Sequence, residues 1–409
     1  MRAYPSSATA GALRPAISKY INADRFPTRL SVFDGDTTSN RSFDKVTNRG
    51  ETTAGGTSTP GNDNPGGSGT GGGPPGPGTR GGEEHPGDFV VTLPNGYKLQ
   101  CRVEGPEGGT PIFQLHGTPG SRVDTAPPEL LDRLGVRLTT YDRPGYGGSD
   151  PQEGLKIADG AMHVEAIADH LGIEKFAVVG RSGGAAYAAA VAAGLPDRVT
   201  RVALLVPNAP PALMKEQFLA NLNPNQQAAL GAIEEYSAER EASFRENPTD
   251  PMTIIGIPWD ELGSNDREVA EKYREHLCNN FAEALRQGTA GWNGDINKVN
   301  GFDTWGFEYR DIKCPAIVWT ASGDKFTAPA YAERIAAQLS PEQGRLYMVL
   351  GGDVGHLGAM EIKPGAFAWL AGKEDLARFP TDPPPGHTPG EPVPTTLEQW
   401  TSLAEPNTG

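Results

Sequence analysis

The stretch 175-KFAVVGRSGGAAYAAAVAAG-194 decides the fold. Its first five residues, Lys175–Val179, form a short apolar run of the kind found in strands buried on both faces. Residues Gly183–Ala193 are rich in alanine and free of proline, which suits a helix. Only Gly180, Arg181 and Ser182 separate the two. A strand that runs straight into a helix must turn sharply, and the residue at the centre of the turn, Ser182, takes strained dihedrals. Gly180 and Gly184 carry no Cβ, so strand and helix can approach closely around it. That geometry lifts the Ser182 hydroxyl above the edge of the sheet. With 53 glycines in the chain, the bare pattern Gly180-x-Ser182-x-Gly184 is weak, and its place between strand and helix gives it weight. The plainer alternative is a glycine-rich turn with a serine N-cap.

The alternation of strand and helix extends on both sides of this stretch. Phe89–Leu93 and Tyr97–Glu104 flank Pro94-Asn95-Gly96, where the Asn-Gly pair suits a tight hairpin. Pro111–Leu115, Val136–Tyr141 and Val202–Val206 read as buried parallel strands, and Ala316–Thr320 and Leu346–Leu350 as two later ones. Helical patterns cover Ile157–Leu171 and Tyr331–Leu339. The expected class is therefore α/β, a mostly parallel sheet flanked by helices on both faces. Residues 209–300 interrupt the alternation with helical patterns at Ala212–Leu222, Gln226–Glu246 and Asp266–Gln287. A helical insertion between two parallel strands lies beyond their C-terminal edge, where ligands bind in open α/β sheets. It reads as a lid.

A serine hydroxyl is a poor nucleophile unless a base is held within hydrogen-bond reach. Asp324 follows the strand Ala316–Thr320 in Ser322-Gly323-Asp324, and His356 follows Leu346–Leu350 in Gly355-His356. Both belong to loops at the same sheet edge as Ser182, in the chain order serine, acid, histidine. Of the seven histidines, His85 and His387 fall in the terminal segments, His163 and His170 on a helix face, and His276 in the insertion. His116 precedes a glycine turn and reads as a loop-shaping residue. His356 remains as the base. Asp324 is preferred to Asp353 as its orienting acid, because that carboxylate belongs after the preceding strand. His116-Gly117-Thr118-Pro119-Gly120 follows the strand Pro111–Leu115 directly. Acyl transfer builds negative charge on a carbonyl oxygen, which fixed backbone N–H groups stabilise. The expected oxyanion donors are the amides of Gly183 and Thr118, since Pro119 has none.

The ends of the chain have another texture. Residues 51–87 hold 14 Gly and 6 Pro, with Ala54 as their one apolar residue. Such a segment cannot offset its ordering entropy by burial and is expected to be a flexible tether. The expected organisation is a Gly/Pro-rich disordered segment at 1–87, a catalytic domain at 88–372 and a Pro-rich disordered tail at 373–409, with a short helix expected at Leu397–Leu403. The net charge of −15 argues against a nucleic-acid partner, which needs a basic surface. Cys101, Cys278 and Cys314 are widely spaced and suggest neither a disulfide framework nor zinc. They are expected as reduced thiols. No metal or organic cofactor is called for. No run of about 18 apolar residues suggests a membrane span, and the first 20 residues lack the apolar centre of a secretory signal. A cytoplasmic location is the expectation; the oligomeric state is left open.

Taken together, HGTPG at 116–120, YDRPGYGGSD at 141–150, GRSGG at 180–184, SGD at 322–324 and GH at 355–356 resemble the α/β-hydrolase superfamily. Over residues 88–372 the chain looks most like its bacterial, single-domain branch with an inserted helical lid, and Leu285–Cys314 is similar to the lid-exit segment of those enzymes. The resemblance implies a serine hydrolase acting on a small-molecule ester, thioester, lactone or amide through Ser182, Asp324 and His356. Some relatives carry the acid after the sixth strand; here Pro207-Asn208-Ala209 offers no carboxylate, which favours Asp324. A serine at 182 argues against the dehalogenases and epoxide hydrolases of the fold, which use aspartate. Arg181 stands where many relatives have His, Gln or Asp. HGTPG is also close to the HGGPG of proline iminopeptidases, so an N-terminal aminopeptidase on the same triad is one alternative. A slow-turnover binding protein that retains the fold is another.

Overall fold

Period-two alternation sends neighbouring strand residues to opposite faces of a sheet. Phe176 and Val178 accordingly enter one apolar core, while Ala177 and Val179 enter another. The same sorting separates Phe113 and Leu115 from Ile112, and Val202 and Leu204 from Ala203 and Leu205. A sheet sorted in this way needs helices on both sides. A computed structural model describes residues 85–214, 221, 230–339, 345–351, 353–373 and 393–395. The expected N-terminal tether up to position 84, His387 and the helix expected at Leu397–Leu403 lie outside them.

The strands are β1 (Asp88–Thr92), β2 (Lys98–Glu104), β3 (Thr110–Leu115), β4 (Val136–Tyr141), β5 (Phe176–Arg181), β6 (Val199–Leu205), β7 (Ala316–Ala321), β8 (Arg345–Leu350) and β9 (Val393–Thr395). They form one sheet in the order β1-β2-β4-β3-β5-β6-β7-β8-β9. β1 pairs antiparallel with β2, and β2 with β4; every other pairing is parallel. Within 373–409, Val393–Thr395 thus pairs alongside β8.

Helices α1 (Pro128–Leu134), α2 (Gly160–His170) and α3 (Gly183–Gly194) occupy the first half of the fold. Pro128 opens α1 where its missing N–H costs nothing, and Gly135 ends it in the left-handed conformation at φ 58°. Residues Gly183 to Ala192 of α3 are all buried. A helix buried on every side must be apolar all round, and its alanines let it lie close against the sheet. Between β6 and β7 the chain forms α4 (Pro211–Met214), α5 (Ile233–Glu246), α6 (Met252–Ile255), α7 (Ser264–Lys272), α8 (Arg274–Ala284) and α9 (Ala290–Val299). This insertion has its own apolar core of Phe244, Ile254, Leu277, Phe281 and Trp292, which Leu357 and Met360 join from the loop after β8. α10 (Pro329–Gln338) and α11 (Lys363–Leu370) complete the flanking layers.

One expectation about the insertion needs correction. The helix expected over Asp266–Gln287 is two helices, α7 and α8, which meet at Tyr273, where φ is −104° and ψ is 18°. Apolar periodicity continues across this one-residue break, so it leaves no mark in the pattern. The helix α9, AGWNGDINKV, lies in a stretch that the sequence pattern did not single out as helical. Gly291 serves a close approach: a Cβ there would stand 2.7 Å from the carbonyl carbon of Gly145. Of the helix expected over Ala212–Leu222, the described residues are 212–214, which belong to α4, and 221, which is a turn. The three cysteines are buried and unpaired. No described helix is long and apolar enough to cross a membrane.

Burial also tunes one helix-face histidine. His163 is buried, and its Nε2 has no hydrogen-bond partner among the described residues. Desolvation, aided by the charge of Lys298, lowers its pKa from 6.5 to about 4. The unfolded chain therefore binds a proton between these values that the folded chain refuses, so stability falls as pH drops through this window. The whole contribution is up to about 3 kcal/mol. His163→Phe is expected to shrink the loss of stability between pH 7 and pH 4.5, read from urea midpoints. An equal loss in both proteins would contradict this.

Candidate active site

Ser182 sits between β5 and α3 with φ 56° and ψ −126°, a conformation that costs about 1–3 kcal/mol for a residue with a Cβ. The turn is fixed on either side by Ser182 N–H donating to Leu205 O at 2.9 Å and Ala185 N–H donating to Ser182 O at 3.0 Å. Glycine is required around it by contact. A Cβ at Gly184 would lie 2.8 Å from the carbonyl carbon of Leu115, and one at Gly180 would lie 2.7 Å from Ala185 N. At Gly183 it would meet Thr118, 3.0 Å from Cβ and 3.7 Å from the amide nitrogen. The backbones of residues 118 and 183 therefore share one corner beside the serine.

Asp324 and His356 meet from the loops after β7 and β8. His356 Nδ1 lies 2.8 Å from Asp324 Oδ2. Asp324 Oδ1 accepts the backbone N–H groups of Phe326 (2.7 Å) and Thr327 (2.8 Å), and the Thr327 hydroxyl lies 2.7 Å from Oδ2. These donors leave the carboxylate one orientation, facing the imidazole. Asp266 of α7 holds the other side of the loop: its Oδ1 accepts Leu357 N–H at 2.9 Å and Gly358 N–H at 3.2 Å. Burial pushes the Asp266 carboxyl up, against the pull of His356. Asp353, the other carboxylate in this loop, is exposed and instead accepts Ser264 N–H at 2.6 Å. The sequence contained no signal for Asp266 or Thr327.

The loop after β3 is held by a buried ion pair. Arg143 and Asp295 are each 1% exposed. Arg143 Nε donates to Asp295 Oδ2 at 2.9 Å, and its Nη2 donates to Gly117 O at 2.8 Å and to Thr118 Oγ1 at 3.2 Å. The Tyr187 hydroxyl donates to Asp295 Oδ1 at 2.6 Å. Arg143 holds the Asp295 carboxyl far below the usual carboxylate range, overcoming the desolvation that would raise it. His116 belongs to the same framework. Its Nδ1 lies 2.8 Å from Gly117 O, and its Nε2 accepts Arg143 N–H at 3.1 Å. That pair of bonds assigns the proton to Nδ1. Burial and the Arg143 charge lower the His116 pKa to about 3, so the ring is neutral. Arg143 lay in a motif quoted from the sequence, without a role; Asp295 lay in a stretch of the insertion that was not singled out as helical.

Ser182, His356, Gly117 and Thr118 line one cavity of about 190 Å³, with Trp292, Phe281, Leu277, Ile254 and Tyr236 contributed by the insertion. Asp324 stands behind His356. No hydrogen bond to the Ser182 hydroxyl is formed among the described residues; serine and imidazole share the lining of one cavity. Catalytic hydrogen bonds commonly tighten only when substrate is bound.

Over residues 110–361, more than half of the chain, the sequence matches the alpha/beta hydrolase fold family. The chain belongs to that family. It is 30% identical over 115 residues to the uncharacterized hydrolase YcgS of Bacillus subtilis (strain 168), a stretch that covers 28% of this chain and 39% of that protein. It is 31% identical over 111 residues to a proline iminopeptidase of Arabidopsis thaliana, covering 26% of this chain and 29% of that one. The matched stretches thus span less than two fifths of these relatives. Among solved structures, the enol-lactonase of Burkholderia xenovorans LB400 aligns with a TM-score of 0.51 at 20% identity, over 70% of this chain and 99% of its own. That likeness is one of fold.

The buried network makes an ordered prediction. Asp295→Asn leaves the Arg143 charge buried without its counter-ion, which typically costs about 3–5 kcal/mol. Tyr187→Phe removes a single hydrogen bond to a charged group, about 1.5–3 kcal/mol. Denaturant titration is expected to rank Asp295→Asn as the more destabilised. The reverse order would contradict the assignment of Asp295 as the counter-ion.

Proposed function

We propose that the protein is a serine hydrolase that cleaves a carboxylic ester, or a related thioester, lactone or amide, through an acyl-enzyme on Ser182. The observation that carries this reading is the 2.8 Å contact between His356 Nδ1 and Asp324 Oδ2, with His356 and Ser182 lining the same cavity. The carboxylate fixes the proton on Nδ1, which leaves Nε2 free to act as a base. His356 takes the Ser182 proton as Oγ bonds to the substrate carbonyl carbon. The amides of Gly183 and Thr118 stabilise the resulting oxyanion. His356 then gives the proton to the leaving group as its bond to carbon breaks. Water, deprotonated by the same imidazole, releases the acid and restores the serine.

In this reading the helices between β6 and β7 form a lid, whose Trp292, Phe281 and Leu277 shape an apolar pocket for the acyl chain. A second reading, an N-terminal aminopeptidase, is favoured by the proline iminopeptidases among the curated relatives. It calls for an acidic group facing the substrate ammonium. Among the described residues that line the cavity there is no Asp or Glu, which favours the ester reading. A slow-turnover binding protein would retain the cavity but not sustained turnover.

Reaction with a fluorophosphonate probe tests the nucleophile, and panels of generic esters and proline arylamides test the bond. Wild-type protein is expected to label and to turn over esters. Ser182→Ala should abolish both, and His356→Ala should lower kcat by at least about 10³-fold. Labelling that survives Ser182→Ala would falsify the assignment.

A further inference from the structure

Arg181 immediately precedes the serine and takes no part in the chemistry above. It is partly buried and lines the cavity. Its Nη2 lies against Gly117, 3.7 Å from where a Cβ of that residue would stand, so the guanidinium is beside the proposed oxyanion corner. Its Nε is buried with no hydrogen-bond partner. Among the described residues no carboxylate forms an ion pair with it. A guanidinium at the wall of a largely apolar cavity, with its Nε–H buried and unsatisfied, keeps hydrogen-bonding capacity that an acceptor on a ligand can use.

The carboxylate of Asp124, on which Arg181 acts, is already committed. Asp124 is buried and ion-paired to Lys363, with Nζ 2.6 Å from Oδ1. It also meets His276 Nε2 at 3.1 Å. Arg181 acts electrostatically on both Asp124 and Lys363. Arg181 and Lys363 therefore act on one carboxylate, and among the described residues the Arg181 guanidinium has no ion-pair partner of its own. The other described lining residues are polar but uncharged or apolar, apart from the imidazole of His356.

We propose that Arg181 is a specificity-determining residue that binds a carboxylate on the substrate, so that the preferred substrates are esters or lactones carrying a second, ionised carboxyl group. The guanidinium is suited to this, since its planar fork offers paired N–H donors that match a carboxylate. The unpartnered Nε gains the acceptor it lacks. This inference rests on the hydrolase reading for its turnover test, though its binding test does not.

The matched probes are the 4-nitrophenyl monoester of glutaric acid and 4-nitrophenyl valerate, which differ by a carboxylate in place of a terminal methyl. The quantity measured is the ratio of their kcat/KM values. Arg181→Met is expected to lower this ratio by about 10- to 100-fold, the range for a charge-assisted hydrogen bond, and Arg181→Lys to restore part of it. A merely structural role would slow both esters together and leave the ratio unchanged, which would overturn the proposal. Calorimetric binding of free glutarate to the Ser182→Ala protein gives a readout that needs no turnover. Binding there that disappears on adding Arg181→Met supports the proposal even if neither ester is hydrolysed, in which case the hydrolase reading alone fails. No glutarate binding together with an unchanged ester ratio overturns the proposal and leaves the hydrolase reading intact.

Discussion

The rim of this sheet depends on how closely three backbone segments meet: the end of β3, the turn after β5 and the first turn of α3. Gly180 abuts the first turn of α3, Gly183 abuts Thr118, and Gly184 abuts the backbone of Leu115 and His116, at separations too short for an unstrained Cβ on any of the three glycines. This crowding holds Ser182 at φ 56°. A strained residue persists only when its surroundings over-determine it, and here strand pairing on one side and a fully buried helix on the other do so. The serine is thereby presented at the sheet edge beside two backbone amides. Neither feature could be kept if the segments moved apart.

Charge secures what crowding begins. Arg143 reaches across the loop after β3, and its counter-ion Asp295 comes from the insertion, 152 residues further along the chain. A buried pair of this kind contributes little net stability, since desolvation offsets most of the attraction. Its value is positional. With Tyr187 of α3 bonded to the same carboxylate, one group of atoms ties together the loop, the helix behind the serine and the helices over the cavity. Asp266 plays a comparable part on the opposite side, where a carboxylate from the insertion caps the turn that follows His356. The insertion is thus joined to the site through two carboxylates as well as through its own apolar core.

The eight strands expected from apolar runs all appear, with ends shifted by at most a few residues, because period and length identify a buried strand locally. The rim residues were legible for the same reason: Ser182, Asp324 and His356 each follow a strand at its C-terminal end, and strand order determines which loops become neighbours. Contacts that depend on side chains distant in sequence were not legible. Asp295 sits in a glycine-containing helix that resembles a loop, and nothing local marks it as the partner of Arg143. The break at Tyr273 and the ninth strand, β9 at Val393–Thr395, were missed because the first does not interrupt the apolar pattern and the second does not create one. Arg181 was noticed as a departure from related sequences, but its lack of a counter-ion is a property of the folded cavity alone.

Catalysis at this rim requires that one reacting centre touch the serine, the imidazole and both amides at once. The most direct measurement is a crystal structure of the protein after reaction with a small phosphonate. The expected result is phosphorus bonded to Ser182 Oγ, with one phosphoryl oxygen within about 3 Å of the amide nitrogens of Thr118 and Gly183 and the His356 ring facing the adduct. Phosphorus attached to another residue, or a phosphoryl oxygen turned away from both amides, would contradict it.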